Sequence, residues 1–423
     1  MENGEGLNPG EVYREYCNPN DEIPRGYPNA PQSTVTIPRP HDADKYYLLH
    51  LSPFFNYDTL LPHFALTDEL FLTTVDMSQN DGEGLVTEKN HVVDSILREP
   101  KMILNRHANG EDWWLVNPLL ESNEFNVYLV DSSGVHFQQR QSIGLRDSSI
   151  NVAADQLVFT PNGKQLLRFS TQQGLRLFDF DRVTGALSNF RLIPFPQGSP
   201  REVRFGSVAV SPSGQYAYVN NETEVYQYDL WSDNIGSSQL LIAELFDDGS
   251  MLFPATVQVM QLGPDCKIYA YMVNGNQHHV IHNPDERGDA CGWEQGGMQL
   301  GRYVFRDQPT FPNFRLGPLG EEGAVCAEPI VSTGSFPQQE DDLVSVYPNP
   351  AVETVAFKVK GAVGVDELTL MDSMGRILKV TRTALVGGDT GQLSLMGVPL
   401  GPYLLRLKLR DGRVVVKKLV VGE

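Results

Sequence analysis

The sequence predicts an all-β protein: a β-propeller followed by a small immunoglobulin-like β-sandwich. Three observations predict it. A turn-then-strand pattern recurs at a period of about fifty residues. The stretches between repeats read as short strands and hairpin turns. A charge break near residue 343 separates an acidic body from a basic, strand-rich tail.

Five places carry the repeat: "PRPHDADKYYLLHL" (38–51), "RHANGEDWWLV" (106–116), "FTPNGKQLLRF" (159–169), "VSPSGQYAYV" (210–219) and "LGPDCKIYAYM" (262–272). Each is a polar turn followed by a hydrophobic strand. The strands begin near Tyr46, Trp113, Gln165, Tyr216 and Ile268, so the spacings are 67, 52, 51 and 52. Further strands follow within each unit, as in "LRLFDFDRVTGALSN" and "EVYQYDLWSDN". Four antiparallel strands in about fifty residues is the size of one propeller blade. "NHVVDSILREP" (90–100) is the best short helix candidate. Cys266 stands where the other turns have Gly, which predicts a different turn type there.

The remaining composition sets bounds. At 423 residues and 41% hydrophobic content the chain can build two or three packed domains. No stretch has the roughly 18 apolar residues of a membrane helix. The start, "MENGEGLNPGEVYREY", has neither the basic nor the apolar region of a signal peptide. Net charge is −20, made of +4 from residue 343 onward and −24 before it. An acidic body argues against nucleic acid, which needs clustered Lys and Arg. Cys17, Cys266, Cys291 and Cys326 include no C-x-x-C pair, so one or two disulfides are expected, with isolated buried thiols as the alternative.

Candidate chemistry is sparse. No G-x-S-x-G, H-E-x-x-H or P-loop occurs, so no catalytic or cofactor residue is named. In "HHVIH", His278 and His282 share a strand face about 13 Å apart, too far for one zinc ion. They read as blade-surface histidines. Asp76, Asn80, Asp81 and Glu83 gather on a glycine-containing loop, which suits calcium, although the spacing departs from the EF-hand. A solvated turn is the ordinary alternative. Trp113 and Trp114 point to opposite faces, one toward inter-blade core and the other toward a ligand surface. Asp179 and Asp181 read as turn residues rather than a catalytic pair.

The turns "SPSGQY" and "TPNGKQ" resemble those of WD40-like and related bacterial propellers. With "TVTIPRPHDADKYYLLHL", "ILNRHANGEDWWLV", "VIHNPDERGDACGW" and "FPNF", residues 30–316 resemble a propeller family of exported Bacteroidetes proteins. That resemblance implies blade material before this start. The chain is therefore expected to begin inside a longer reading frame, which would supply the missing signal peptide, and the full ring to have six or seven blades.

The body is expected over 1–320, a linker containing "QQEDD" over 321–342, and the tail over 343–423. In the tail, "SVYPNPAVETVAFKV", "DELTLMDSMGRILKV" and "GPYLLRLKLRDGRVVVKKLVV" give alternating strands with Asp411-Gly412 at a tight hairpin. Tyr347, Pro348, Asn349 and Pro350, then Gly375 and Arg376, then Gly401 and Tyr403, then Lys417 and Lys418 fall in order. The arrangement is similar to the type A C-terminal sorting domain of the type IX secretion system. It implies export, the secretion machinery as partner, and a body released or held peripherally at the outer-membrane surface.

The reading is a secreted or surface propeller, monomeric and non-catalytic, binding an unknown protein or glycan. An extracellular hydrolase or lyase on the same scaffold is one alternative, and a structural or adhesive surface component another. An enzyme should gather titratable groups at the axis, and a binder should show an apolar or aromatic patch on one rim.

Overall fold

The computed structural model describes residues 32–56, 64–146, 155–195, 205–246, 255–272, 275–304, 310–321, 325–326, 344–360, 364–372, 377–382, 390–410 and 414–422. The chain divides into two compact units, Met1–Pro329 and Ile330–Glu423.

The first unit contains five consecutive four-stranded antiparallel sheets. They are β1–β4 (from Thr34–Arg39 to Leu85–Arg98), β5–β8 (Ile103–Arg106 to Gly134–Ser142), β9–β12 (Gln156–Phe159 to Leu187–Ile193), β13–β16 (Val208–Val210 to Leu240–Glu244) and β17–β20 (Val259–Leu262 to Trp293–Val304). In each, sequence order is sheet order, which is a propeller blade. The repeat marks the second strand of each blade: Trp113, Gln165, Tyr216 and Ile268 are the first residues of β6, β10, β14 and β18.

Those second strands are apolar on both sides because each lies between two neighbours. On β6, Trp113 packs with Ile37 and Leu49 of the first blade, whereas Trp114 packs with Leu166 and Phe178 of the third. Leu167 and Phe169 face the fourth blade, and Tyr218 faces Met260 and Ile268 of the fifth. A strand buried on two faces loses its polar alternation. Both tryptophans are therefore core (0% and 4% exposed), which corrects the expectation that one lines a ligand surface.

Two further expectations change. Residues 90–98 belong to β4, not to a helix. Register shifts along the pair of β3 (Phe64–Asp76) and β4 break strict alternation and leave Val92, Val93 and Ile96 at a spacing that imitates a helix. Cys266 does not change its turn. The N–H of Gly110, Gly163, Gly214 and Cys266 bonds the carbonyl three residues back in every case. All four are left-handed, with φ of 79°, 70°, 79° and 65°. Gly163 is required for a second reason: a Cβ there would lie 2.6 Å from Leu316 Cδ2.

Cys266 is disulfide-bonded to Cys326, which falls in the segment read as linker. Cys291 is a buried free thiol. Cys17 and the chain start lie outside the described residues.

The second unit has sheets ordered β21–β22–β25 and β24–β23–β26–β27. Their strands are Val344–Tyr347, Thr354–Val359, Val365–Asp372, Ile377–Arg382, Thr390–Ser394, Gly401–Leu409 and Val414–Val421 in chain order. Seven strands in sheets of three and four form an immunoglobulin-like sandwich. Val355, Phe357, Leu368, Leu370, Leu405 and Leu419 make its core.

The disulfide spans 60 residues. Loop-closure entropy predicts that Cys326→Ser lowers the stability of the first unit by about 4 kcal/mol. In urea unfolding, the reduced wild type should match the variant. An unchanged midpoint in the variant would show that the bond contributes nothing.

Candidate functional site

The innermost strands converge, β5 beside β9, β9 beside β13 and β13 beside β17. In an antiparallel pair, alternate residues turn their amides to the partner strand and the rest turn away. The Thr160 N–H bonds Gln165, so Leu157 and Phe159 turn toward the axis. The same count from Ser211, Gly263 and His107 turns Val208 and Val210, Met260 and Leu262, and Met102 and Leu104 inward.

These groups form two layers. In the first, the Gln32 amide donates to Leu157 O (2.7 Å) and accepts from Leu157 N (2.9 Å), while Gln32 O accepts from Met102 N (2.8 Å). Gln156 donates to Met260 O (2.8 Å) and accepts from Met260 N (3.2 Å) and Val208 N (3.3 Å). Both glutamines are buried. The second layer, two residues along, is Leu104, Phe159, Val210 and Leu262. It surrounds a cavity of about 350 Å³, completed by Phe311, Pro312 and Asn313.

Residues 310–321 close one end. Asn313 donates to Pro161 O (2.9 Å), Arg106 to Phe314 O (3.2 Å), and Arg182 to Gly317 O (2.5 Å). Phe314 meets Trp113 edge-on, and the Arg106 guanidinium lies 3.7 Å from the Trp113 ring centroid.

At the other end lies a buried ion cluster that sequence reading missed. Arg168 holds both Glu99 oxygens (2.9 and 2.7 Å) and also Asp155. Arg176 reaches Asp155 at 3.2 Å, and Lys101 bridges Asp155 and Glu99. All five are at most 7% exposed, and none lines the cavity. Their signal was available: Arg168 interrupts "QLLRF" and Arg176 interrupts "LRLF".

The structure separates the calcium candidates. The Asp76 carboxylate accepts from the Ser78 N–H and O–H, and the Ser78 hydroxyl first of all holds its pKa below the usual range. Asn80, Asp81 and Glu83 are exposed on the adjoining 3-10 turn. Among the described residues no group of three His, Cys, Asp or Glu can hold a metal. Asp179 accepts from Gln165 and Asn189, and Asp181 holds the Val183 N–H and the Thr184 hydroxyl. On β19 (Gly275–Ile281), His278 is buried, not a blade-surface residue as expected, and so is its neighbour His279, whereas His282 is part-exposed. His282 pairs with Glu294 at 2.6 Å.

In the tail, the Tyr-Pro-Asn-Pro turn moves the chain between sheets. Val344–Tyr347 pairs with β22, and after two cis prolines Ala351 bonds Val420 O on β27 of the other sheet. Asn349 Oδ1 accepts from Val420 N (2.8 Å). Tyr403 donates to Pro399 O (2.7 Å), a tyrosine corner at the start of β26. Lys417 is part-buried on the face of Val415 and Leu419. Lys418 lies on the same strand, opposite Leu404. Gly375 and Arg376 lie outside the described residues.

Residues 345–422 match the family of secretion system C-terminal sorting domains. The tail is a type IX sorting domain. The protein is thus exported to the cell surface or the extracellular space through that machinery. No curated protein matches the chain. Among solved structures it is similar to virginiamycin B lyase from Staphylococcus aureus (10% identity, 92% of this chain and 96% of that one, TM-score 0.37). It is also similar to the Swd1 β-propeller domain from Myceliophteria thermophila (14%, 56% and 65%, 0.32). A protein from Lactobacillus plantarum gives 13%, 83% and 85%, and 0.37. No residue role is taken from these structures.

Two predictions follow from buried groups. Burial pushes His50 and His279 down to about 4 from 6.5. Both stay neutral in the fold, and the unfolded chain takes up the protons. The first unit should hold full stability above pH 6.5 and lose about 3 kcal/mol per histidine as pH falls toward 4. His279→Gln should remove one share of that slope in urea titrations run across the window. In the tail, Tyr403→Phe removes a part-buried hydrogen bond to Pro399 O and should cost about 1 kcal/mol, seen by calorimetry as a lower tail transition with the propeller transition unmoved.

Proposed function

We propose that the exported sorting-domain protein is a non-catalytic binding module whose propeller takes its ligand in the axial cavity. One observation carries this reading. The described lining of the cavity contains no carboxylate, imidazole or thiol. A catalytic site needs titratable groups within reach of the substrate. The buried acids near the axis, Glu99 and Asp155, are instead spent on Lys101, Arg168 and Arg176. At about 350 Å³ the cavity falls in the range of about 300–1,000 Å³ typical of small-ligand sites.

The test is a thermal-shift screen of the purified full chain against capped short peptides and short oligosaccharides. Each compound is recovered afterwards for mass spectrometry. The expected result is saturable stabilisation, about 2.7 kcal/mol at a hundredfold excess over Kd, with the compound recovered intact. Cleavage of a stabilising compound would replace the binding reading with the hydrolase or lyase one.

A further inference from the structure

We infer that the axial cavity is built for an amide: its ligand is a small molecule presenting a carboxamide or peptide group to the bare strand edges. This deepens the binding reading and rests on it.

In the layer above, the molecule already shows what these edges accept. The side-chain amide of Gln32 pairs with both backbone groups of Leu157, at 2.7 and 2.9 Å. The amide of Gln156 does the same with Met260, at 2.8 and 3.2 Å. An amide carries a donor and an acceptor on one planar unit, so it copies the pairing of a neighbouring strand. Hydroxyls or ethers do not offer that fixed pair.

The cavity repeats the arrangement one layer along the same strands. Phe159 lies two residues after Leu157, Leu262 two after Met260, and Val210 two after Val208. All three line the cavity with Leu104. Their alternation turns N–H and C=O toward the axis, and no hydrogen bond between described residues reaches those groups. An exposed row of strand amides is a template for pairing.

Three of the nearby polar side chains are already engaged. Asn105 donates to Gly163 O and Asn313 to Pro161 O. Thr160 bonds Asn162 and Gln165. What a ligand meets is backbone at the strand edges, the Gln261 and Arg315 side chains at the lining, and an apolar flank from Phe311, Pro312 and Pro264. That combination suits a peptide-like group on an apolar body and is poor for a sugar, whose many hydroxyls would meet few free partners.

Ligand-observed NMR on the full chain tests this with a matched pair, benzamide and methyl benzoate. The two share a ring and a carbonyl, but only benzamide has the N–H donor. Maltotriose is the sugar control. Gln261→Trp is the blocking variant, because Gln261 is a part-exposed lining residue. The expected result is saturable benzamide binding, about tenfold tighter than methyl benzoate, lost in Gln261→Trp, with no maltotriose binding. Equal affinities for the matched pair, or tighter binding of maltotriose, both lost in the variant, would overturn the amide inference and leave the cavity reading standing. No binding of any probe, or binding indifferent to Gln261→Trp, would overturn both.

Discussion

Two glutamine side chains hold the centre of the propeller. Innermost strands must end somewhere, and where they converge each turns a row of N–H and C=O groups toward its opposite number. A backbone group buried without a partner costs about 1–3 kcal/mol, so convergence is unfavourable unless something fills the gap. Gln32 joins the first blade to the second and third, through Met102 and Leu157. Gln156 joins the third to the fourth and fifth, through Val208 and Met260. Two residues therefore tie five blades. They do so with the donor and acceptor geometry of a strand, which is why the sheets need no longer loops to meet.

That constraint explains what lies to either side. Residues 310–321 seat on the turns of the second and third blades, held by Arg106 and Arg182, and the Cys266–Cys326 bond ties the following segment to the fifth. At the opposite end Glu99, Lys101, Asp155, Arg168 and Arg176 form a closed ion cluster across the second and third blades. Burying such a set contributes little net stability, but breaking it by removing one partner costs about 3–5 kcal/mol. Such a cluster fixes which blade faces fit together, whereas apolar faces alone would tolerate sliding. The cavity lies between these closures, where strand edges stay bare among the described residues.

How much of this the sequence displayed depended on the range of each interaction. The blade period was legible because each turn is local: the Gly163 and Gly214 turns state their backbone geometry in a few residues. Cys266 misled because left-handed geometry is usually read from glycine, and here a tertiary bond to Cys326 accompanies the exception. Trp113 and Trp114 were read with one face free because a lone sheet has two faces, and a blade in a stack has none. The axial site was invisible. Its groups are main-chain amides, which every sequence has, and its organisers are two glutamines 124 positions apart with no local pattern around them. Arg168 and Arg176 were detectable as charges inside apolar runs, but their partners were not.

The tail was legible for the opposite reason, and this also limits what it says. Its signature positions are folding positions. Pro348 and Pro350 lack the N–H needed to continue a ladder, so the chain leaves one sheet there and joins the other. Asn349 fastens that crossing to Val420, and Tyr403 fixes the corner before the last hairpin. These residues fasten the sandwich at its crossing and at its corner. None of these contacts depends on what precedes residue 344. The tail thus gives the destination of the protein, and none of its contacts bears on what the propeller binds.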